Sequence, residues 1–167
     1  MWERSGKIDR VVVDNGIHPM PHTYSNLVIH VVFSTKERIK FLTADRRAEL
    51  FAYIVALVKE KGGQVIVING VEDHVHILLA VPPNVLLSEL MRFVKANSSR
   101  WFKERFKVPF AWQTGFGAFS VSRSGVEDVS RYIQKQEEHH RTRDFREEFL
   151  LLLKKNGVEF DERYLWR

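Results

Sequence analysis

The chain has 167 residues, 44% of them hydrophobic, which is enough for one compact core and too few for two comfortable domains. It has no cysteine, so disulfides and thiolate metal sites are excluded and stability rests on packing. A formal charge of +5 favours polyanionic partners. The start, MWERSGKIDR, is charged where a secretory signal would need an apolar run, and no later stretch approaches membrane-spanning length, so a soluble cytoplasmic protein is expected.

Residues 1–22 lack periodicity and are broken by Gly16, Pro19 and Pro21; they are expected to form a poorly packed leader, with Met20 as a candidate start. The domain is expected over 23–167. NLVIHVVFSTKER, rich in Val, Ile and Phe, predicts a buried strand. TADRRAELFAYIVALVKEKGG predicts a helix capped at Thr43, with Leu50, Ile54, Leu57 and Val58 on one face and a stop at Gly62 and Gly63. QVIVING and HVHILLAV read as a hairpin turning at 69–73. A second long helix follows the Pro82–Pro83 pair, with Leu87, Leu90, Met91, Val94 and Trp101 along one face. FAWQTGFGAFSVS supplies a short strand, GVEDVSRYIQKQEEHH a third helix, and DFREEFLLLLKKNG an amphipathic helical extension stopped at Asn156 and Gly157. The order strand, helix, strand, strand, helix, strand, helix predicts an α+β, ferredoxin-like antiparallel sheet with helices packed on one face.

Side chains alternate along a strand, so Val75, Ile77, Leu79 and Val81 face the helices while His74, His76 and Leu78 point the other way. The two imidazoles then stand about 7 Å apart along one face, from which both can converge on one ion. Equally, they fit as hydrogen-bonded histidines on the polar side of a half-covered sheet. Glu72 shares their parity and is a further candidate ligand, whereas His30 interrupts an apolar run and reads as a satisfied histidine.

In VSRYIQKQEEHH, Tyr132 and Gln136 are four residues apart and share a helical face, beside a buried stripe of Val126, Val129 and Ile133. A glutamine carbonyl is a neutral hard ligand for Mg²⁺ or Mn²⁺, and a tyrosine hydroxyl is a nucleophile when a metal polarises its target. Alone, Tyr132 reads as an aromatic at the edge of a core.

Four pieces in order, HVVFSTKER, DHVHILL, WQTGFGAFSVS and RYIQKQEEHH, make the chain from Met20 onward resemble the single-tyrosine HUH transposases, the insertion-sequence-200/605 type and their REP-associated relatives. The resemblance implies that His74, His76 and Gln136 hold Mg²⁺ or Mn²⁺ and that Tyr132 is the nucleophile. It further implies metal-assisted transesterification of single-stranded DNA through a 5′-phosphotyrosine, recognition of hairpin ends, and a homodimer with Tyr132 acting in cis or in trans. The 1–19 stretch matches nothing in that pattern.

Candidate DNA contacts are Arg92, Lys95, Arg100 and Lys103, interleaved with Trp101 and Phe102, and Arg123, Arg131 and Lys135 nearer the proposed site. Gly115 and Gly117, bracketing Phe116, either admit a close approach or shape a turn. Two other classes remain open on the sequence: a non-catalytic or domesticated nucleic-acid-binding module of the same fold, and a metal-dependent hydrolase that uses an activated water.

Overall fold

The computed structural model describes residues 23–139 and 144–165; the expected leader and His140 lie outside the described residues. The chain runs β1 (Val28–Ser34), α1 (Ala44–Glu60), β2 (Gln64–Gly70), β3 (His74–Ala80), α2 (Leu87–Phe106), β4 (Gly117–Val121), α3 (Val126–Gln134), α4 (Gln136–His139), α5 (Phe145–Lys155) and α6 (Glu162–Leu165). The four strands form one antiparallel sheet in the order β2-β3-β1-β4, and the fold is the expected α+β class.

The hydrophobic pattern decides which face each helix covers. Val31 and Phe33 of β1 and Val75, Ile77 and Leu79 of β3 are fully buried against Leu50, Ile54 and Val58 of α1 and Leu90, Met91 and Val94 of α2. These aliphatic and aromatic side chains contribute roughly 1.5–3 kcal/mol each when removed from water, which makes this layer the stabilising half of the molecule. On α2, Phe102 is the fully buried ring; Trp101 is half-buried and stacks on Tyr53 with centroids 4.8 Å apart.

The opposite face is covered by the elements that follow β4. Ile133 of α3 packs on Val28 and Leu78, and Phe145, Phe149 and Leu153 of α5 pack on Val32 and Phe119. The side expected to be polar is therefore roofed, and groups between sheet and roof are shielded from water.

Two local details differ from the sequence expectation. Thr43 occupies the N-cap of α1, but its hydroxyl donates to Asp45 Oδ1 at 2.6 Å instead of serving the helix backbone. The third helix is not continuous: it ends at Lys135, and a separate turn begins at Gln136. The break has a cause, because Asn69 Nδ2 of β2 donates to the carbonyls of Ile133 and Gln134 at 3.0 and 2.9 Å. Those carbonyls lie in the last turn of the helix, where a side-chain donor stabilises termination.

Candidate active site

Both histidines of the 74–76 pair are fully buried and lie under the roof helices, with ring centroids 5.2 Å apart. The hairpin that delivers them depends on Gly70: a Cβ there would lie 2.2 Å from the His74 carbonyl oxygen, a contact no side chain can make. His74 Nδ1 lies 2.8 Å from Asp73 Oδ1, and Arg38 donates to the other oxygen of that carboxylate through Nε and a terminal nitrogen at 3.2 and 3.0 Å. Arg38 is aimed there by an unusual backbone, since Glu37 and Arg38 both take positive φ values of 56° and 57°. His76 Nδ1 lies 3.0 Å from His30 Nε2. In both histidines, a proton on Nδ1 donated to its partner leaves the Nε2 lone pair directed into the site, the arrangement seen for metal-bound imidazoles.

His30 thus behaves as the satisfied histidine expected of it, and it orients His76. Burial, with His76 beside it, pushes the His30 pKa down to about 3. Burial also opposes protonation of His74, but the Asp73 and Glu148 carboxylates outweigh it and hold that pKa above the ordinary value. Asp73 is pulled below the usual carboxylate range: burial acts against this, and His74 and Arg38 overcome it.

The Nε2 atoms of His74 and His76 face Glu148 Oε2 at 3.5 and 3.4 Å. Glu148 comes from α5 and is 5% exposed. Its Oε1 accepts hydrogen bonds from Tyr132 Oη and, at 3.0 Å, from Gln136 Nε2. Gln136 is fully buried, and its Oε1 has no hydrogen-bond partner among the described residues. An amide oxygen left in that state costs about 1–3 kcal/mol, which a cation would recover.

Two imidazoles, a carboxylate and an amide oxygen form a donor set suited to a divalent ion. One donor atom from each of His74, His76 and Glu148 lies within 4.8 Å of the others. Two donors on one ion at about 2.1 Å lie roughly 3.0–3.4 Å apart, close to the imidazole–carboxylate spacings here. The residues present therefore fit a metal.

Tyr132 is half-buried between these groups and a cavity of about 410 Å³ lined in part by His30, Phe119, Ser122, Val129 and Lys155. Its ring meets that of His76 edge-on with centroids 5.9 Å apart. His74, His76, Tyr132 and Gln136 are thus brought to one place. Glu72 is not: it is exposed at the turn and pairs with Lys40 at 3.2 Å.

The expected DNA-contacting cations divide. Arg92, Arg100 and Lys103 are exposed on α2, across the sheet from the histidines. Lys95 is half-buried and gives its ammonium to the carbonyls of Gln113, Thr114 and Gly115; burial draws its pKa down to about 8. Arg131 lies on α3 with the tyrosine, and Arg123 and Lys135 flank that helix before and after; all three are exposed, although Arg131 already pairs with Glu127 and Asp128 at 3.2 and 3.3 Å.

Glu148 is the site residue that sequence reasoning missed. Its signal was present: Phe145, Phe149, Leu152 and Leu153 mark the apolar stripe of α5, and Glu148 falls within that stripe at the spacing of a buried position. A carboxylate on a buried face needs partners, and these partners are chemical.

Residues 23–136 match the protein family described as "Transposase IS200 like". The transposase for insertion sequence element IS200 from Salmonella typhimurium is 26% identical over 124 residues, covering 70% of this chain and 81% of that relative. The ISDra2 transposase TnpA of Deinococcus radiodurans is 23% identical over 117 residues, covering 66% of this chain and 84% of its own length. Among solved structures, a REP-associated tyrosine transposase bound to a REP hairpin shares the fold with a TM-score of 0.56 and 14% identity over 74% of each chain. A chain from Deinococcus radiodurans R1 does so with a TM-score of 0.59 and 20% identity, over 72% of this chain and 98% of its own. With more than half its length matched, from the first strand through the tyrosine and the glutamine that follows it, this chain belongs to the IS200-like transposase family.

Proposed function

We propose that this transposase cuts and rejoins single-stranded DNA by transesterification, with Tyr132 as nucleophile and with Mg²⁺ or Mn²⁺ held by His74, His76 and Gln136, joined by Glu148. The observation that carries this reading is that the tyrosine hydroxyl and the metal-binding donors meet at a single buried carboxylate. A bound divalent ion would supply Lewis-acid polarisation of the scissile phosphate and neutralise its developing charge.

The rest falls to the chain's own residues. Asp73 and His30 fix the tautomers of His74 and His76. The roof of α3 and α5 buries the two imidazoles, the Gln136 amide and the Glu148 carboxylate, while Tyr132 stays at the edge of the cavity. Tyr132 Oη loses its proton and bonds to phosphorus as the P–O3′ bond breaks; the departing oxygen takes up a proton to give a free 3′-hydroxyl. The 5′-phosphotyrosine keeps the bond's energy, so a second strand's 3′-hydroxyl can reseal it without ATP. The cavity beside Tyr132 gives a strand an approach, and Lys155 in its lining, with Arg123 and Lys135 flanking the tyrosine's helix, suits phosphate contacts. Hairpin-forming ends bound by a homodimer complete the reading, which draws support from family membership and from the REP hairpin carried by one structural neighbour.

The test is a denaturing gel of labelled single-stranded oligonucleotides from the gene's flanks, incubated with protein and Mn²⁺. A covalent adduct that requires the ion and is lost in Tyr132→Phe is the expected outcome. Metal-dependent cutting that persists in Tyr132→Phe would replace this mechanism with hydrolysis by an activated water.

A further inference from the structure

We propose that Glu148 of α5, which lies beyond the family-matched segment 23–136, couples the nucleophile to the metal: one carboxylate serves the ion through Oε2 and aims Tyr132 through Oε1.

The inference rests on the transesterification reading and extends it to a residue and an element outside the family pattern. Four contacts converge on one side chain that is 5% exposed: Tyr132 Oη, Gln136 Nε2 and the two imidazole Nε2 atoms. A carboxylate has two oxygens and about four lone pairs, so it can bridge a cation and a hydroxyl at once. His76 meets the Tyr132 ring edge-on with centroids 5.9 Å apart, whereas Glu148 reaches the hydroxyl itself. The division of its oxygens matters. If Glu148 served only as a ligand, both oxygens would be free to turn toward the imidazoles, yet Oε1 takes the tyrosine and glutamine hydrogen bonds.

The placement is built into the helix. Asp144 caps α5 by accepting from the Glu147 amide at 3.0 Å, and Phe145 and Phe149 on either side of Glu148 anchor it to Val32 and Phe119. Phe145 also stacks on His74 with centroids 4.4 Å apart, so helix and ligand are held in register. Glu148 touches the attacking atom and is by that measure a catalytic residue. It would hold the hydroxyl beside the ion in both cleavage and resealing, when Tyr132 is first the attacking and then the leaving group.

The experiment compares the full-length wild type with Glu148→Ala, Glu148→Gln and Tyr132→Phe by three readouts. Calorimetric titration with Mn²⁺ alone should show affinity reduced by about tenfold or more in Glu148→Ala. The single-turnover rate of adduct formation at saturating Mn²⁺ should still be about 100-fold below wild type, since a misaimed nucleophile is not repaired by filling the metal site. Protein labelled with ¹³C at tyrosine Cζ, with Tyr132 assigned by its loss in Tyr132→Phe, should show that resonance shifting on addition of Mg²⁺ in wild type and not in Glu148→Ala. Glu148→Gln, which keeps an acceptor oxygen but not the charge, should fall between the two.

Full recovery of the adduct rate by excess Mn²⁺ would reduce Glu148 to a ligand and overturn the coupling. A faster rate in Glu148→Ala would also overturn it, by identifying the carboxylate as a plug that competes with the scissile phosphate. If the wild type forms no adduct at all, the transesterification reading fails, while the Mg²⁺-dependent resonance shift still decides whether Tyr132 and the ion communicate through Glu148.

Discussion

At the scale of single residues, the site is a set of buried groups whose protonation is set by their neighbours. His30 stays neutral through the physiological range because its pKa lies near 3, so it can accept from His76 without competing for charge. His74 is the group that protons and metal contest. A metal ligand must be neutral, and the carboxylates that raise the His74 pKa in the metal-free protein also favour its proton. The sign follows: Mn²⁺ affinity is constant above the raised pKa and weakens as pH falls through it, with a midpoint above the ordinary 6.5. Calorimetric Mn²⁺ titrations from pH 5.5 to 8.5 should show this, with roughly one proton released per ion on the acidic side. Asp73→Asn should move the midpoint downward, because it removes the nearer of the two carboxylates. A flat profile would mean that His74 is not a ligand.

At the scale of elements, β4 and α5 meet at a position without a side chain. A Cβ on Gly117 would lie 2.6 Å from Phe149 Cε2 and 3.3 Å from the Phe119 ring, so the helix rests directly on the strand backbone. Gly117→Ala should push α5 outward, destabilise the fold by about 1–3 kcal/mol in urea unfolding, and weaken Mn²⁺ binding as Glu148 retreats. Adding Phe149→Leu should restore much of both losses; recovery of stability without metal affinity would show that helix position and site are independent. By contrast, Gly115 has nothing within 4 Å of its would-be Cβ, and its carbonyl accepts from Lys95, so a side chain there would meet open space.

These elements show where the sequence was legible. The strands, α1 and α2 announce themselves through periods of two and of 3.6, and the face assignment of Val75, Ile77 and Leu79 follows from parity alone. His74 and His76 were found through the same parity. The break after Gln134 was hidden because its cause, Asn69, is 65 residues away in sequence. Glu148 was hidden for a similar reason: a local pattern records that the position is buried, while its partners come from β3, α3 and α4. Arg38 gave no local sign either, since its use depends on a left-handed backbone pair that the residue types Glu and Arg do not suggest.

At the scale of the whole molecule, the sheet separates two jobs. The α1 and α2 side contains the larger hydrophobic cluster, and the α3 and α5 side contains two smaller clusters around buried polar groups. Residues that gather His74, His76, Gln136 and Glu148 without an ion concentrate polarity in a dry space, so an ion should stabilise the entire fold. An ion present at about 100 times its dissociation constant adds about 2.7 kcal/mol, which should raise the melting temperature by roughly 5–10 °C. Differential scanning calorimetry with Mn²⁺ and then with excess chelator would measure the rise and its reversal; no change at saturating Mn²⁺ would mean that the donor set does not bind the ion.

Strand β3 lies where the two jobs touch, with odd-numbered Val75, Ile77 and Leu79 turned to one layer and even-numbered His74 and His76 to the other. Loss or gain of a single residue in the 71–73 turn would exchange the two sets, driving imidazoles into the aliphatic layer and valines into the polar one. Around this strand, descent by substitution can be gradual, whereas descent by insertion or deletion has no half-way form.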